Sequence, residues 1–369
     1  MTDESEDIRT YNETIEPLVR LGRKVETLLQ ELLAANGLIA HTVNHRIKSF
    51  ESTVKKIQSS NGEFSSAADV RDLLGLRIIT LFSDEVDPIA EMIEREFSVD
   101  PSHSNDRRIP DDPDRFGYAT VKYSVTLTNE RSSLTEFAEF HDRCFEIQIR
   151  SLLQHAWAEI EHDLGYKSKA MIPREMRRRF SRLAGLLEVA DEQFLQLRND
   201  SLEYIRELPG AITMSADSVG IDKDSIAEII QSNDLVKKMD DEIARLLGGS
   251  LYDAVWFPEK HAIELQKLGL NSIADLQMVI QSKGDLIRRF ADIWNRTPMP
   301  WRPIHEHVDS IPRGVALLYV EYVLAAELKS PELTAELLLT NIGASSPESL
   351  AELTEAVLDV YERAAMRSI

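Results

Sequence analysis

The sequence predicts a mixed α/β domain followed by an all-α domain. Two observations carry this. In the first ~205 residues, three runs rich in β-branched and alternating side chains stand apart from one another, LRIITLF at 76–82, YATVKYSVTL at 118–127 and CFEIQIR at 144–150. Segments of helical periodicity separate them, the pattern of a sheet flanked by helices. After Pro209 and Gly210 the texture changes, and residues 224–365 contain no convincing alternating run. They read as several helices broken by Gly248-Gly249, Pro258, Gly269, Gly284 and a Pro-rich stretch at 297–312. A boundary is expected near 206–222, giving domains over 1–210 and 222–369.

The elements follow in order. Leu18, Leu21, Val25, Leu28, Leu29 and Leu32 recur at helical spacing, so 12–35 is a helix. Ile39–Ile47 is a short extended piece, and Ser49 can cap a helix running to about Ser59. Ser65–Leu74 reads as another short helix. Asp87–Glu96 is amphipathic, 98–116 a polar loop, and Leu134–Phe140 a short helix or a turn. Residues 151–164 and 173–205 are helices. LGLNSIADLQMVI (268–280) and NIGASSPESLAELTEAV (341–357) look faintly alike, either as an internal repeat or as two separately capped helices.

Composition narrows the classes of function. The 369 residues are 43% hydrophobic and 28% charged, enough apolar material for a large core and too much for a disordered chain. No stretch approaches the ~20 apolar residues of a membrane-spanning helix. The start, MTDESEDIRTYNE, is polar and acidic, unlike a signal or transit peptide. A single cysteine, Cys144, allows no internal disulfide and fits a cytoplasmic location. The net charge of -21 is spread over both halves, which argues against broad binding to nucleic acid or anionic lipid. A local basic cleft for one phosphorylated ligand remains compatible with it.

Four segments of the first half suggest such a cleft. In RIKSFESTVKK (46–56), Arg46 and Lys48 point to one side of an extended segment, and Ser52 and Lys56 share a helix face. Converging cations and a hydroxyl suit a polyphosphate, although such a run also reads as a solvated face. In DVRDLLGLRIITLF (69–82), Asp72 stands before a hydrophobic strand, a suitable place to hold Mg²⁺. Arg77 interrupts that strand and either meets a ligand or points to water at a sheet edge. In CFEIQIR, Phe145, Ile147 and Ile149 form one face, while Glu146, Gln148 and Arg150 line the other as an active-site floor. Asp72 and Glu146 together make a candidate two-carboxylate metal site. In FGYATVKYSV (116–125), Gly117 permits close approach, Tyr118 can stack on a base, and Lys122 shares its strand face.

Taken together, RIKSFES…K, RDLLGLRI, FGY and EIQIRSLLQHAWAEIEHDLGYK resemble the synthetase domain of the RelA/SpoT family, and most of all its small, single-function alarmone synthetases. The resemblance covers roughly residues 12–205. It implies a nucleotidyltransferase-like mixed sheet and a Mg²⁺-dependent transfer of the β,γ-diphosphate of ATP to the 3′-hydroxyl of GDP or GTP, with AMP released. Asp72 and Glu146 would hold Mg²⁺, with Glu146 helping to deprotonate the hydroxyl. Arg46 and Arg77 would sandwich the adenine. Lys48, Ser52 and Lys56 would hold the ATP phosphates. Tyr118 would stack on the acceptor guanine, with Lys122, Gln148, Arg150 and His155 on the acceptor side. Homo-oligomers are common among small relatives.

Two positions depart from the family pattern. Lys122 stands where the family commonly has a His, and Asp114 where it often has a Lys. Both touch the acceptor side. Some relatives are toxins that diphosphorylate adenine nucleotides or the tRNA 3′ end, so tRNA stays open as an acceptor, with the C-terminal half as a restraint. His155, Glu159 and His162 fall on one helical face at metal-ligand spacing, but the resemblance accounts for them as helix and site-wall residues. The basic helix PREMRRRFSR (173–182) reads as a solvated face or a subunit contact.

Overall fold

The computed structural model describes residues 4–60, 64–106, 121–163, 173–297, 310–342 and 347–366. It divides into two units, Met1–Asn199 and Asp200–Ile369.

The first unit is the expected α/β one. Helix α1 (Glu4–Ala35) starts earlier than the periodicity indicates and buries Leu18, Leu21, Val25, Leu29 and Leu33 along one stripe. Then come β1 (Thr42–Ile47), α2 (Phe50–Ser59), β2 (Leu74–Thr80), α3 (Val86–Glu96), β3 (Phe97–Val99), β4 (Asn105–Asp106), β5 (Val121–Leu127), the single turn α4 (Asn129–Ser132), β6 (Phe145–Ser151), α5 (Leu152–Asp163) and α6 (Arg174–Ser215), of which residues 174–199 belong to this unit. The six strands form one sheet in the order β1-β2-β6-β5-β3, with β4 also paired to β5. Only β2 and β6 run parallel.

Register separates the two faces of this sheet. Leu76, Ile147 and Tyr123 lie level with one another, as do Ile78, Ile149 and Val121, and all are buried in the core with α1 and α3. On the opposite face Arg46, Gly75, Glu146 and Ser124 form one row, and Asn44, Arg77, Gln148 and Lys122 the next. The alternation read from CFEIQIR therefore holds across four strands.

Some local expectations fail. Ser65–Leu74 is not a helix; it holds one 3₁₀ turn at Ala67–Asp69. The Asp69 carboxylate accepts the backbone N–H of Ser65 and Ser66, an Asx-type alternative to helix, while Leu74 is taken into β2. The expected loop after residue 98 carries β4 within its described part. Pro209 does not end the long helix, because Leu208 and Ile212 are buried in the core around it and hold the backbone helical through Ser215.

The second unit is helical, as expected. It comprises α7 (Lys223–Ser232), α8 (Asp234–Leu247), β7 (Ser250–Val255), α9 (Pro258–Lys267), α10 (Ile273–Arg296), β8 (Ser310–Arg313), α11 (Val315–Glu327), α12 (Pro331–Ile342) and α13 (Pro347–Met366). The parallel β7–β8 pair escaped the sequence because β7 is largely exposed on both faces and so lacks an alternating signal. Helix α11 is buried along nearly its whole length and sits at the centre, with Tyr319 and Tyr322 packed around Phe290 and Trp294. Its first residue follows Gly314, whose φ of +99° suits glycine and brings no capping side chain. The cap comes instead from α8. Asp240 is fully buried and accepts the backbone N–H of Gly314 at 2.7 Å and of Ala316 at 2.8 Å. Burial pushes its carboxyl above the usual range, and those two N–H groups only partly pull it back.

Asp240→Ala leaves two buried donors unpaired and is expected to cost about 2–3 kcal/mol. Urea unfolding of the full chain checks this; an unchanged midpoint would remove Asp240 from the cap.

Candidate functional site

The polar face of the first unit is built at the N-terminal edge of the parallel β2–β6 pair. Gly75 lies level with Glu146 on β6 and with Arg46 on β1. Asp72 sits in the turn two residues ahead of β2. The corner between β1 and α2 closes on the same turn: Lys48 N–H donates to the Leu73 carbonyl at 2.8 Å, and the Tyr11 hydroxyl donates to the Lys48 carbonyl at 2.5 Å. Ser49 caps α2, its hydroxyl accepting from Ser52 N–H, so the helix starts at a fixed place and carries Ser52 and Lys56 on one side.

This local structure brings Lys48 and Lys56, the cations expected to hold ATP phosphates, onto Asp72. Lys48 Nζ lies 2.8 Å from Asp72 Oδ2, and Lys56 Nζ lies 2.9 Å from Oδ1. Burial acts to raise the Asp72 carboxyl, but hydrogen bonds and charge from the two lysines outweigh it and hold the group below its usual range. Asp72 is therefore ionised at neutral pH.

Glu146 is arranged similarly on the sheet. Its side chain is 11% exposed. Gln148, two residues along the same face, donates from Nε2 to Oε1. Lys122, opposite Gln148 on β5, places Nζ on Oε2. Both carboxylates predicted to hold metal thus carry lysines of their own. Among the described residues no three His, Cys, Asp or Glu side chains gather into a metal cluster. A Mg²⁺ ion held by Asp72 and Glu146 would complete its shell from phosphate and water oxygens, which suits that ion's chemistry. The donor set fits, being all oxygen with at least one carboxylate kept charged.

On the next row, Arg77 is tied to α5. Its Nη1 lies 3.0 Å from Glu159 Oε1. The sequence showed Glu159 only as part of a helical face; its pairing with a strand arginine needed three dimensions. Arg150 lies beyond, with Nε buried and without a hydrogen-bond partner. Burial lowers its guanidinium, and repulsion from Arg77 adds to this. His155 is lowered by burial and by Arg77 and Arg150, with Glu159 opposing, so its imidazole is neutral at pH 7. Arg46 is exposed on the same face. Tyr118 and Asp114 lie outside the described residues.

Nearby, a cleft of about 670 Å³ is lined by Arg71, Asp100, His103, Thr126 and Cys144 among others. Arg71 Nη1 and His103 Nδ1 both lie on Asp100 Oδ2, at 2.7 and 2.8 Å.

With this geometry in place, residues 45–171 match the family model described as a region found in RelA / SpoT proteins. This stretch is similar to that region. GTP pyrophosphokinase YjbM of Bacillus subtilis is 27% identical to this chain over 197 residues, spanning 50% of this chain and 89% of the relative. GTP pyrophosphokinase YwaC of the same organism is 24% identical over 185 residues, spanning 49% and 84%. Among solved structures, the small alarmone synthetase 1 from Bacillus subtilis aligns at 23% identity with a TM-score of 0.43, over 52% of this chain and 98% of that one. The matched span contains the described site residues from Arg46 to His155, and α1 packs onto it from outside that span. No helix among the described residues is long and apolar enough to cross a membrane.

Asp72→Asn in the ligand-free chain leaves Lys48 and Lys56 facing each other without their anion. A loss of about 1–3 kcal/mol at pH 7 is expected. Because the folded carboxyl sits below its unfolded value, this contribution is present above the unfolded value and disappears as pH falls through the folded one. Unfolding midpoints of both proteins between pH 7 and 3 should therefore converge on acidification; a constant gap would overturn the charge explanation.

Proposed function

We propose that the unit Met1–Asn199 transfers the β,γ-diphosphate of ATP to the 3′-hydroxyl of GDP or GTP, making (p)ppGpp and AMP with Mg²⁺. The observation that carries this is the polar sheet face: two carboxylates at one strand edge, Asp72 paired with Lys48 and Lys56 and Glu146 with Lys122, within a stretch similar to the RelA/SpoT region. The relatives named GTP pyrophosphokinase support the same reaction class.

The bond that forms joins the acceptor 3′-oxygen to the β-phosphorus of ATP, and the bond that breaks is the one from that phosphorus to the oxygen shared with the α-phosphate. Such a transfer needs in-line placement and cancelled charge more than covalent help. When bound, Mg²⁺ would supply charge neutralisation at the bridging phosphates. Lys48 and Lys56 stand where they can turn from Asp72 to the ATP phosphates, with the Ser52 hydroxyl beside them. Arg77, its guanidinium steadied by Glu159, and the exposed Arg46 form the adenine side. Glu146 is placed to receive the proton from the 3′-hydroxyl. Tyr118, Lys122, Gln148, Arg150 and His155 make up the acceptor side, where a neutral His155 can hydrogen-bond without adding charge. A cytoplasmic location, where ATP and guanine nucleotides are abundant, is part of this reading. Residues 222–369 supply none of these groups, which fits a regulatory role.

The direct test mixes the purified chain, γ-labelled ATP and Mg²⁺ with GDP, GTP, ADP, ATP or tRNA in turn. Label is expected on GDP or GTP. Label on adenine nucleotides or tRNA alone would overturn the acceptor, and Lys122 and Asp114 would mark the change. Glu146→Gln is expected to lower turnover by about 10²–10⁴-fold with the fold intact. Tyr118→Ala is expected to raise the acceptor KM about tenfold or more while leaving the ATP KM nearly unchanged; equal effects on both substrates would argue against base stacking.

A further inference from the structure

We infer that Lys122 is a resident counter-ion of Glu146 that couples the acceptor's 5′-phosphates to metal binding at that carboxylate. This rests on the proposed function above.

Both oxygens of Glu146 are engaged in the ligand-free protein, Oε1 by Gln148 and Oε2 by Lys122. The two donors differ in kind. A neutral amide on Oε1 tolerates a divalent cation on Oε2, whereas an ammonium there competes with it directly. One of the two charged partners must therefore give way when metal arrives. Glu146 is 11% exposed and fixed on a central strand, while Lys122 is 37% exposed on a flexible four-carbon stem. The lysine moves.

Its destination follows from the strand order. Lys48 and Lys56 flank Asp72 on the β1–β2 side, where ATP phosphates are available to them. Lys122 stands on β5, separated from β2 by β6. The anion within its reach is on the acceptor, and it must carry phosphate. An acceptor phosphate draws Lys122 away and frees Oε2 for the metal; metal on Oε2 releases Lys122 to the phosphate. The two effects are equal by linkage. The class of ligand recognised is a 5′-phosphorylated nucleoside rather than a neutral one.

Two titrations of the full-length chain test this, each with one ligand alone. Mn²⁺ binding is read by electron paramagnetic resonance. Lys122→Met is expected to bind Mn²⁺ about tenfold tighter than wild type, because a competing unit charge is gone. Lys122→Arg keeps the cation and is expected to match wild type, and Glu146→Gln is expected to lose the site. GDP binding is read by calorimetry in EDTA. Glu146→Gln is expected to tighten GDP several-fold by releasing the lysine, Lys122→Met to weaken it, and guanosine to respond to neither. Mn²⁺ affinity lost in Glu146→Gln but unchanged in Lys122→Met would overturn this coupling and leave the proposed function standing. Mn²⁺ affinity retained in Glu146→Gln would overturn the metal assignment, and the coupling with it.

Discussion

The parallel pairing of β2 with β6 is the constraint on which the rest of the site depends. Glu146 and Asp72 are far apart in sequence, and only this pairing puts the starts of their strands at one edge. Its register also decides faces. A slip by one residue would turn Glu146, Gln148 and Arg150 into the apolar core and bring Phe145, Ile147 and Ile149 out to solvent. The buried rows beneath, Leu76 with Ile147 and Ile78 with Ile149, fix that register by hydrophobic burial. Core packing and site geometry are thus one requirement, met by the same strands.

Charge is the second organising element. Carboxylates as shielded as Asp72 and Glu146 would be expensive if left alone. Here Lys48 and Lys56 neutralise Asp72 and Lys122 neutralises Glu146, and none of the three lysines is as deeply placed as its partner. The protein satisfies its anions with groups that can leave. Arg77 and Glu159 reverse the arrangement between β2 and α5, the carboxylate there being the more exposed partner. An acidic chain can in this way present a locally basic face.

Much of this was legible in the sequence. Period-two alternation in CFEIQIR named both faces of β6, and the runs read at 76–82 and 118–127 overlap the strands Leu74–Thr80 and Val121–Leu127. The Ser49 cap fixed α2. What stayed hidden depended on contacts between distant segments. The pairings of Lys122 with Glu146, Arg77 with Glu159 and Asp240 with the start of α11 join residues 24 or more apart and leave no local pattern. Ser65–Leu74 misled because Asp69 offers its own carboxylate to the backbone, and Pro209 because burial outweighs its cost to a helix.

The row that holds Glu146 contains one position with no side chain at all. Between Arg46 and Glu146, Gly75 leaves a bare notch, and a methyl group built there would meet only the Arg46 carbonyl at 3.9 Å. Nothing in the folded chain therefore requires glycine at this point on steric grounds. The floor is lowest beside the carboxylate, flanked by an arginine on one side and an acid on the other. A side chain at residue 75 would rise from the polar face between Arg46 and Glu146 without displacing any part of the chain.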